Sequence, residues 1–253
     1  MKTWMVLIVL IACGFIFAQE QTVTEYMAKA DEAFEQNDDS TAVVYYQMAA
    51  KADTNNCEAQ WKAARSHIHI GENLEGQQQE SHYMLGEMYA RKAVTKCPEN
   101  ADAHLQLAIG VGRLALLRGG KTKVELSKDV KDHAEKAIEL NPELDIAYHV
   151  LARWHREVAT LSGLLKMFAK VLYGGLPPAS VEKSEELFKK AIELNPDYIN
   201  HHLELGMTYE ELKNWSAAAE EYKKVAELPA TEDDDPQHKK EAQKRLKKVQ
   251  KKT

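Results

Sequence analysis

Apolar and charged residues alternate at helical spacing along most of the chain. After the first twenty or so residues, apolar positions recur three and four residues apart, and runs of β-branched residues are scarce. This spacing is typical of amphipathic α-helices that bury one face. The pattern therefore predicts an all-α protein.

One helix ending occurs twice in identical form. Residues 136–142 and 190–196 both read KAIELNP, and residues 93–98 are a looser copy. Asparagine tolerates a left-handed conformation after the last helical turn, and proline cannot continue a helix. We therefore expect a helix to end at each of these points, with the asparagine in the left-handed conformation.

A second pattern begins after each stop. Residues 103–108, 147–152 and 201–206 align, and small and aromatic residues follow at fixed offsets. This is the pattern of the tetratricopeptide repeat of roughly 34 residues. It predicts a right-handed tetratricopeptide-like solenoid of about five helix pairs, forming a single domain. The domain would cover residues 19–253, with insertions near 71–79 and 160–180 and a capping helix over 236–251.

The first residues are typical of an export signal. Lys2 precedes an apolar run over residues 4–18, which is shorter than the ~20 residues of a typical membrane-spanning helix. We predict a signal peptide over 1–18, cleaved after Ala18, and hence a periplasmic or secreted protein. The alternatives are lipidation at Cys13, which lies in a lipobox-like sequence, and an uncleaved anchor.

Two cysteines would remain after cleavage, in a compartment where disulfides persist. Cys57 opens one predicted helix and Cys97 closes a later one. A bridge between them would close a loop of about 40 residues and contribute roughly 3–4 kcal/mol. The alternative is two free, buried thiols.

Composition and motifs argue against several function classes. The formal net charge of −6 is opposite to the basic excess of a nucleic-acid binder. The histidines form neither a His-Glu-x-x-His sequence nor a cluster with cysteine, so we predict no metal site. No nucleophile with an oriented base is recognisable, so we predict neither an enzyme nor a cofactor.

The first helix of each repeat is expected to line a concave groove. The predicted groove residues are Trp61, Arg65, His69, Arg113, His149, Arg153, Arg156 and Asn200. Arginine offers a planar fork that suits carboxylates and phosphates, so we predict that the groove holds an acidic group. The alternative is that these arginines pair on the solvated surface with nearby acids, namely Glu58, Asp102, Glu157 or Glu204.

Residues 158–173 form the most apolar stretch after the signal. A helix that is apolar nearly all round is normally buried, so we predict that this segment packs inside the solenoid. Alternatively, it lines an apolar ligand cavity through Leu164 and Phe168. It could also touch a membrane, with Lys166 and Lys170 at the level of the lipid headgroups.

From about residue 75 onward, the chain resembles the regulator of microtubule dynamics proteins. The likeness is strongest over residues 124–142, and over AKVLY (169–173) followed by PPAS (177–180). It implies a helical repeat domain for attachment to other proteins and, in some members, phospholipid binding in a concave cavity. Because the predicted signal places this chain outside the compartment that contains microtubules, we expect no microtubule binding.

These expectations combine into one predicted function and one alternative. The first is a non-enzymatic scaffold that holds a partner protein or peptide in the concave groove, with no nucleic acid involved. The alternative is a carrier or sensor of an apolar ligand with an acidic headgroup, such as a phospholipid. Neither function requires contact with a membrane.

Overall fold

The computed structural model describes residues 21–252, except for the side chain of residue 173, and consists of helices joined by short turns. Within this range there is no β-strand. The helices are α1 (21–35), α2 (Asp39–Ala52), α3 (Cys57–Glu72), α4 (Gly76–Lys96), α5 (Ala101–Arg118), α6 (Gly120–Leu140), α7 (Asp145–Ala159), α8 (Gly163–Tyr173), α9 (Val181–Leu194), α10 (Ile199–Glu211), α11 (Trp215–Glu227) and α12 (Asp235–Val249). The predicted signal peptide over 1–18, including Cys13, lies outside the described residues.

The helices divide into two compact units. The first reaches to Leu117, and the second begins at Arg118 and holds α6 to α12. In the first unit, α3 packs against α2 and α4. In the second, α7 packs against α9, α10 packs against α11, and α12 covers α11. The predicted all-α helical repeat with a C-terminal capping helix is confirmed, whereas the single domain over 19–253 stays a prediction.

The two identical helix endings stop where the sequence predicts, but not in the predicted conformation. Asn141 and Asn195 follow the last residues of α6 and α9, and their φ angles are −142° and −141°. This is extended backbone, not the left-handed conformation. Each asparagine precedes a proline, whose ring disfavours the helical region and favours an extended conformation for the residue before it.

Small residues allow two neighbouring helices to approach closely, as the repeat pattern indicates. A Cβ atom at Gly206 of α10 would lie only 2.4 Å from the Tyr222 ring of α11. Tyr222 is itself fully buried, as is Tyr46 in the first unit. A glycine on one helix and an aromatic ring on the next therefore form a complementary pair in the core of the repeat.

Candidate functional site

One face of the first unit carries an arginine stacked on aromatic rings. The guanidinium carbon of Arg65 lies 3.5 Å from the centre of the Phe34 ring and 5.4 Å from that of Trp61. His69 lies 5.7 Å from Phe34, measured between ring centres, and its Nδ1 lies 3.5 Å from Asp39 Oδ2. Phe34, Trp61, Arg65 and His69 are all partly exposed, and we call these four residues the arginine shelf.

Acids of the same unit balance much of the charge around the shelf. Asp31 Oδ1 accepts hydrogen bonds from the Tyr46 hydroxyl at 2.6 Å and from the Lys62 ammonium at 2.8 Å. Burial would raise the pKa of Asp31, but these two hydrogen bonds outweigh burial and hold the pKa below its ordinary value. Arg65 Nε, in contrast, is buried and has no hydrogen-bond partner among residues 21–252. The shelf therefore retains one unsatisfied donor.

Arg113 on α5 also lies in the first unit. It forms an ion pair with Glu72 at the end of α3, and the two side chains are 30% and 28% exposed. Glu72 was not among the acids considered from the sequence. Because the pair is partly exposed, both side chains remain accessible to solvent.

In the second unit, Glu204 of α10 meets two of the predicted groove arginines. Arg156 pairs with the Glu204 carboxylate and also donates to the Glu204 carbonyl oxygen at 2.8 Å. Arg153 Nε lies 3.3 Å from the other carboxylate oxygen. Burial would raise the pKa of Glu204, but the charges of Arg153 and Arg156 hold it far below its ordinary value.

The groove position predicted for Arg156 is therefore wrong. Its side chain is 5% exposed and that of Glu204 is 8% exposed, so the pair lies inside the unit. A buried arginine needs a charged partner, and α10 supplies one opposite α7. The alternative considered from the sequence names the right partner, Glu204, but places the pair on the solvated surface, whereas the pair is buried. Arg153 is partly exposed, and its proposed ligand contact stays a prediction.

His149 and Asn200, also predicted to line the groove, are buried. His149 Nδ1 lies 2.9 Å from His201 Nδ1, and His201 Nε2 lies 3.0 Å from Asp145 Oδ2. Since His201 Nε2–H faces a carboxylate, a neutral His201 accepts through Nδ1 from His149 Nδ1–H. Burial lowers the pKa of His201, although its hydrogen bond to Asp145 opposes the shift. This network joins α7 to α10 instead of facing a ligand.

Helix α8 lies on the surface, which corrects the prediction that residues 158–173 pack inside. Its most exposed apolar side chains are Leu164 (71%), Met167 (58%), Val171 (76%) and Leu172 (58%). Ala169 is buried, and Phe168 is partly buried with the Lys121 ammonium 4.8 Å from its ring centre. An apolar helix is buried only where other parts of the protein cover it. Helix α8 contacts α6 along one side, and its other apolar side chains remain exposed.

A small cavity lies at the junction of α7, α8 and the loop that follows. Its volume is about 240 Å³, and it is lined by Val158, Ala159, Lys166, Leu176, Pro177 and Ala179. Ligand pockets for small molecules usually measure roughly 300–1,000 Å³. Leu164 and Phe168, predicted to line an apolar cavity, are not among its lining residues.

Among residues 21–252, no helix is both long and apolar enough to cross a membrane.

Cys57 and Cys97 form a disulfide in the first unit, with their Cα atoms 6.2 Å apart. Cys57 is the first residue of α3, and Cys97 follows the last residue of α4. Of the two alternatives left open by the sequence, the structure contains the bridge. It joins the start of α3 to the end of α4, and α3 carries three residues of the arginine shelf, Trp61, Arg65 and His69.

Comparison with known proteins decides the family. Residues 26–250 match the family model described as regulator of microtubule dynamics protein 1-3. The chain belongs to this family. Regulator of microtubule dynamics protein 1 of Mus musculus is 30% identical, over 87% of this chain and 72% of its own length. The corresponding protein of Bos taurus is 28% identical, over 87% and 70%.

Solved structures similar to this member of the regulator of microtubule dynamics family are tetratricopeptide-repeat proteins. One is a thermophilic repeat protein of Thermus thermophilus, with a TM-score of 0.63 and 14% identity, covering 87% of this chain and 98% of its own. Another is the MamA protein, with a TM-score of 0.52 and 21% identity, covering 84% and 100%. These identities establish the shared fold alone. The predicted tetratricopeptide-type fold is thereby confirmed.

Proposed function

We propose that this chain is a non-enzymatic scaffold that holds a peptide or a partner protein against the inner helices of its repeats. The observation that carries the proposal is the arginine shelf, where the partly exposed Arg65 stacks on Phe34 near Trp61 and its Nε has no hydrogen-bond partner among residues 21–252. A stacked guanidinium loses little conformational freedom when it binds. The shelf is therefore prepared for an acceptor group flanked by an apolar or aromatic side chain.

The chemistry of the shelf limits the class of partner. The nearby acid Asp31 already has an ammonium and a hydroxyl partner, so a ligand does not need to neutralise it. Buried aromatic and arginine side chains are the usual energetic centres of protein interfaces. We infer that an extended segment with a carboxylate or carbonyl opposite Arg65, and an apolar side chain beside Trp61, is the occupant.

A peptide-display selection on the purified chain tests this function. We expect peptides with a recurring acidic or C-terminal carboxylate position, whose affinity falls at least about tenfold in Arg65→Ala, as expected for the loss of an interface anchor. Arg91→Ala is the matched control, because Arg91 is a partly exposed arginine on α4 that pairs with Glu87 one turn away. Peptides that bind Arg65→Ala and the parent chain equally would refute the shelf as the site.

A second candidate is contact with phospholipid, and the exposed face of α8 favours it. Four large apolar side chains there are more than half exposed, and residues 158–180 contain no acidic residue in a chain of net charge −6. Lys166 and Lys170 are exposed on the same short helix. Apolar side chains flanked by lysines are typical of helices that lie in a lipid interface. The small cavity argues that such contact is made with a surface, not with an enclosed lipid.

Vesicle sedimentation separates the two candidates. We expect the parent chain to sediment with vesicles that contain anionic lipid, and Leu164→Glu/Val171→Glu to stay in solution. The matched control is Val44→Glu/Met84→Glu, because both of these side chains are 51% exposed on helices of the first unit. No sedimentation of the parent chain, with peptide binding intact, would leave the scaffold function alone.

A further inference from the structure

The start of α12 brings together two carboxylates and one imidazole. Asp234, Asp235 and His238 each offer one ligand atom, and these atoms lie within 4.8 Å of one another. Side chains three and four positions apart share one face of a helix, so His238 faces both carboxylates across one turn. His238 Nε2 lies 3.5 Å from Asp234 Oδ2, and His238 Nδ1 lies 3.8 Å from Asp235 Oδ1.

The backbone orients one of the two carboxylates. Asp235 Oδ2 accepts hydrogen bonds from the N–H groups of Thr231 and Glu232, at 2.8 Å and 2.9 Å. The side chain of Asp235 is only 2% exposed. With Oδ2 held by the preceding turn, Oδ1 is the oxygen that points toward His238. Outer hydrogen bonds of this kind fix the ligands of metal sites in place.

The facing atoms have no hydrogen bonds. Asp235 Oδ1 and His238 Nδ1 are both buried, and neither has a hydrogen-bond partner in the described part of the chain. Their separation of 3.8 Å is longer than the roughly 2.7–2.9 Å of a charge-assisted hydrogen bond. Two metal bonds of about 2.1 Å, meeting at roughly 110–130°, span about 3.4–3.8 Å. The gap therefore has the width of a bound ion.

The surrounding charge also favours a cation. Residues 232–235 are four consecutive acids. The ammonium group of the next lysine, Lys239, donates hydrogen bonds to the carbonyl oxygens of Ala226 and Leu228. Within residues 21–252, the basic side chain that lies within 4 Å of both Asp234 and Asp235 is that of His238.

We propose that Asp234, Asp235 and His238 bind a divalent transition-metal ion, with water in the remaining positions. Two carboxylates and one imidazole suit Zn²⁺, Mn²⁺, Co²⁺ or Fe²⁺ better than soft monovalent copper. Asp234, whose side chain is 43% exposed, closes the set by rotating toward the ion. The sequence prediction of no metal site relied on motifs with two or more histidine or cysteine ligands, and this set has only one.

Calorimetric titration of the chelator-treated chain with Zn²⁺ tests the site, with the disulfide intact and Cys13 alkylated so that no thiol competes. Asp235→Asn is the sharpest variant, because its amide oxygen can still accept from the N–H groups of Thr231 and Glu232 while an NH₂ group replaces Oδ1. We expect Asp235→Asn and His238→Ala each to weaken binding of one Zn²⁺ at least about tenfold. Co²⁺ should give a visible absorption band that disappears in the same variants.

The matched control is Glu232→Gln/Asp233→Asn, which removes two neighbouring charges but no proposed ligand. Its Zn²⁺ affinity should stay within about threefold of the parent value at physiological salt, since exposed charges are screened there. The site is refuted if Asp235→Asn and His238→Ala bind Zn²⁺ as tightly as the parent chain. It is also refuted if the control loses as much affinity as they do, because binding would then reflect only the acidic surroundings.

Discussion

The two units carry arginines at matching positions of their helices, but the side chains that contact these arginines differ. Arg65 is the ninth residue of α3, and Arg153 is the ninth residue of α7. Arg65 stacks on Phe34 and forms no ion pair within residues 21–252, whereas Arg153 and its neighbour Arg156 both form ion pairs with Glu204. The position in the repeat decides where a side chain points. An acid on another helix decides whether its charge is available to a ligand.

We expect the largest loss of stability from a substitution that breaks the buried Arg156–Glu204 pair of the second unit. Glu204→Gln leaves Arg156 buried without a counter-charge, and we expect the free energy of unfolding to fall by about 3–5 kcal/mol. Glu72→Gln removes the partly exposed partner of Arg113, and we expect a loss below about 1 kcal/mol. Urea unfolding followed by circular dichroism measures both. Equal losses would contradict the contrast drawn between the units.

Removal of the disulfide should have the opposite pattern, with the loss of stability in the first unit, because the bridge lies there. Cys57→Ser/Cys97→Ser reopens a loop of about 40 residues, and we expect a loss of roughly 3–4 kcal/mol. Hydrogen exchange read by mass spectrometry should show faster exchange in α3 and α4 and unchanged exchange in α10 and α11. Alkylation of both Cys57 and Cys97 in the unreduced parent chain would show that the bridge is absent.

Acid should weaken the first unit through His67. Its Nδ1 lies 3.2 Å from His82 Nδ1, and burial, together with the charge of His82, lowers the pKa of His67 from 6.5 to about 4. The unfolded chain therefore takes up a proton as the pH falls through about 6.5, and the folded chain does so only near 4. Stability is complete above this range, and about 2 kcal/mol is lost by pH 5.

His67→Gln removes this titration, so its unfolding free energy should change less between pH 7 and pH 5 than that of the parent chain. The measurement is urea unfolding at the two pH values. Burial lowers the pKa of His202, but its hydrogen bonds to Glu221 and to the Pro196 carbonyl, together with the Glu221 charge, raise it overall, so His202 offers the opposite sign in the second unit. A pH dependence that is identical in His67→Gln and in the parent chain would assign the loss to other groups.

Local chemistry made the helix boundaries predictable. The Asn-Pro stops at 141–142 and 195–196 and the start of α12 at Asp235 depend on neighbouring residues alone. The conformation of Asn141 and Asn195 was predicted wrongly, because the effect of the following proline outweighs the tolerance of asparagine for the left-handed region. The helical repeat followed from the same local signals.

The site was less predictable, because its character depends on contacts between distant parts of the chain. Trp61, Arg65 and His69 come together as expected, but Phe34, on which Arg65 stacks, was missed. An aromatic residue on the inner helix of the preceding repeat was the available signal. The burial of Arg156 depends on Glu204, which is 48 residues away. The exposure of α8 depends on whether another helix packs over its apolar side, and the local sequence carries no information about that.

The place of α8 between α7 and α9 has a consequence for how this chain can change. Helices α7 and α9 pack directly against each other although residues 160–180 separate them, whereas only 195–198 separate α9 from α10. Lengthening a flexible connection fivefold costs only about 1.4 kcal/mol of closure entropy. We therefore expect the segment between α7 and α9 to tolerate replacement, lengthening or deletion, because the packing of these two helices does not depend on its length.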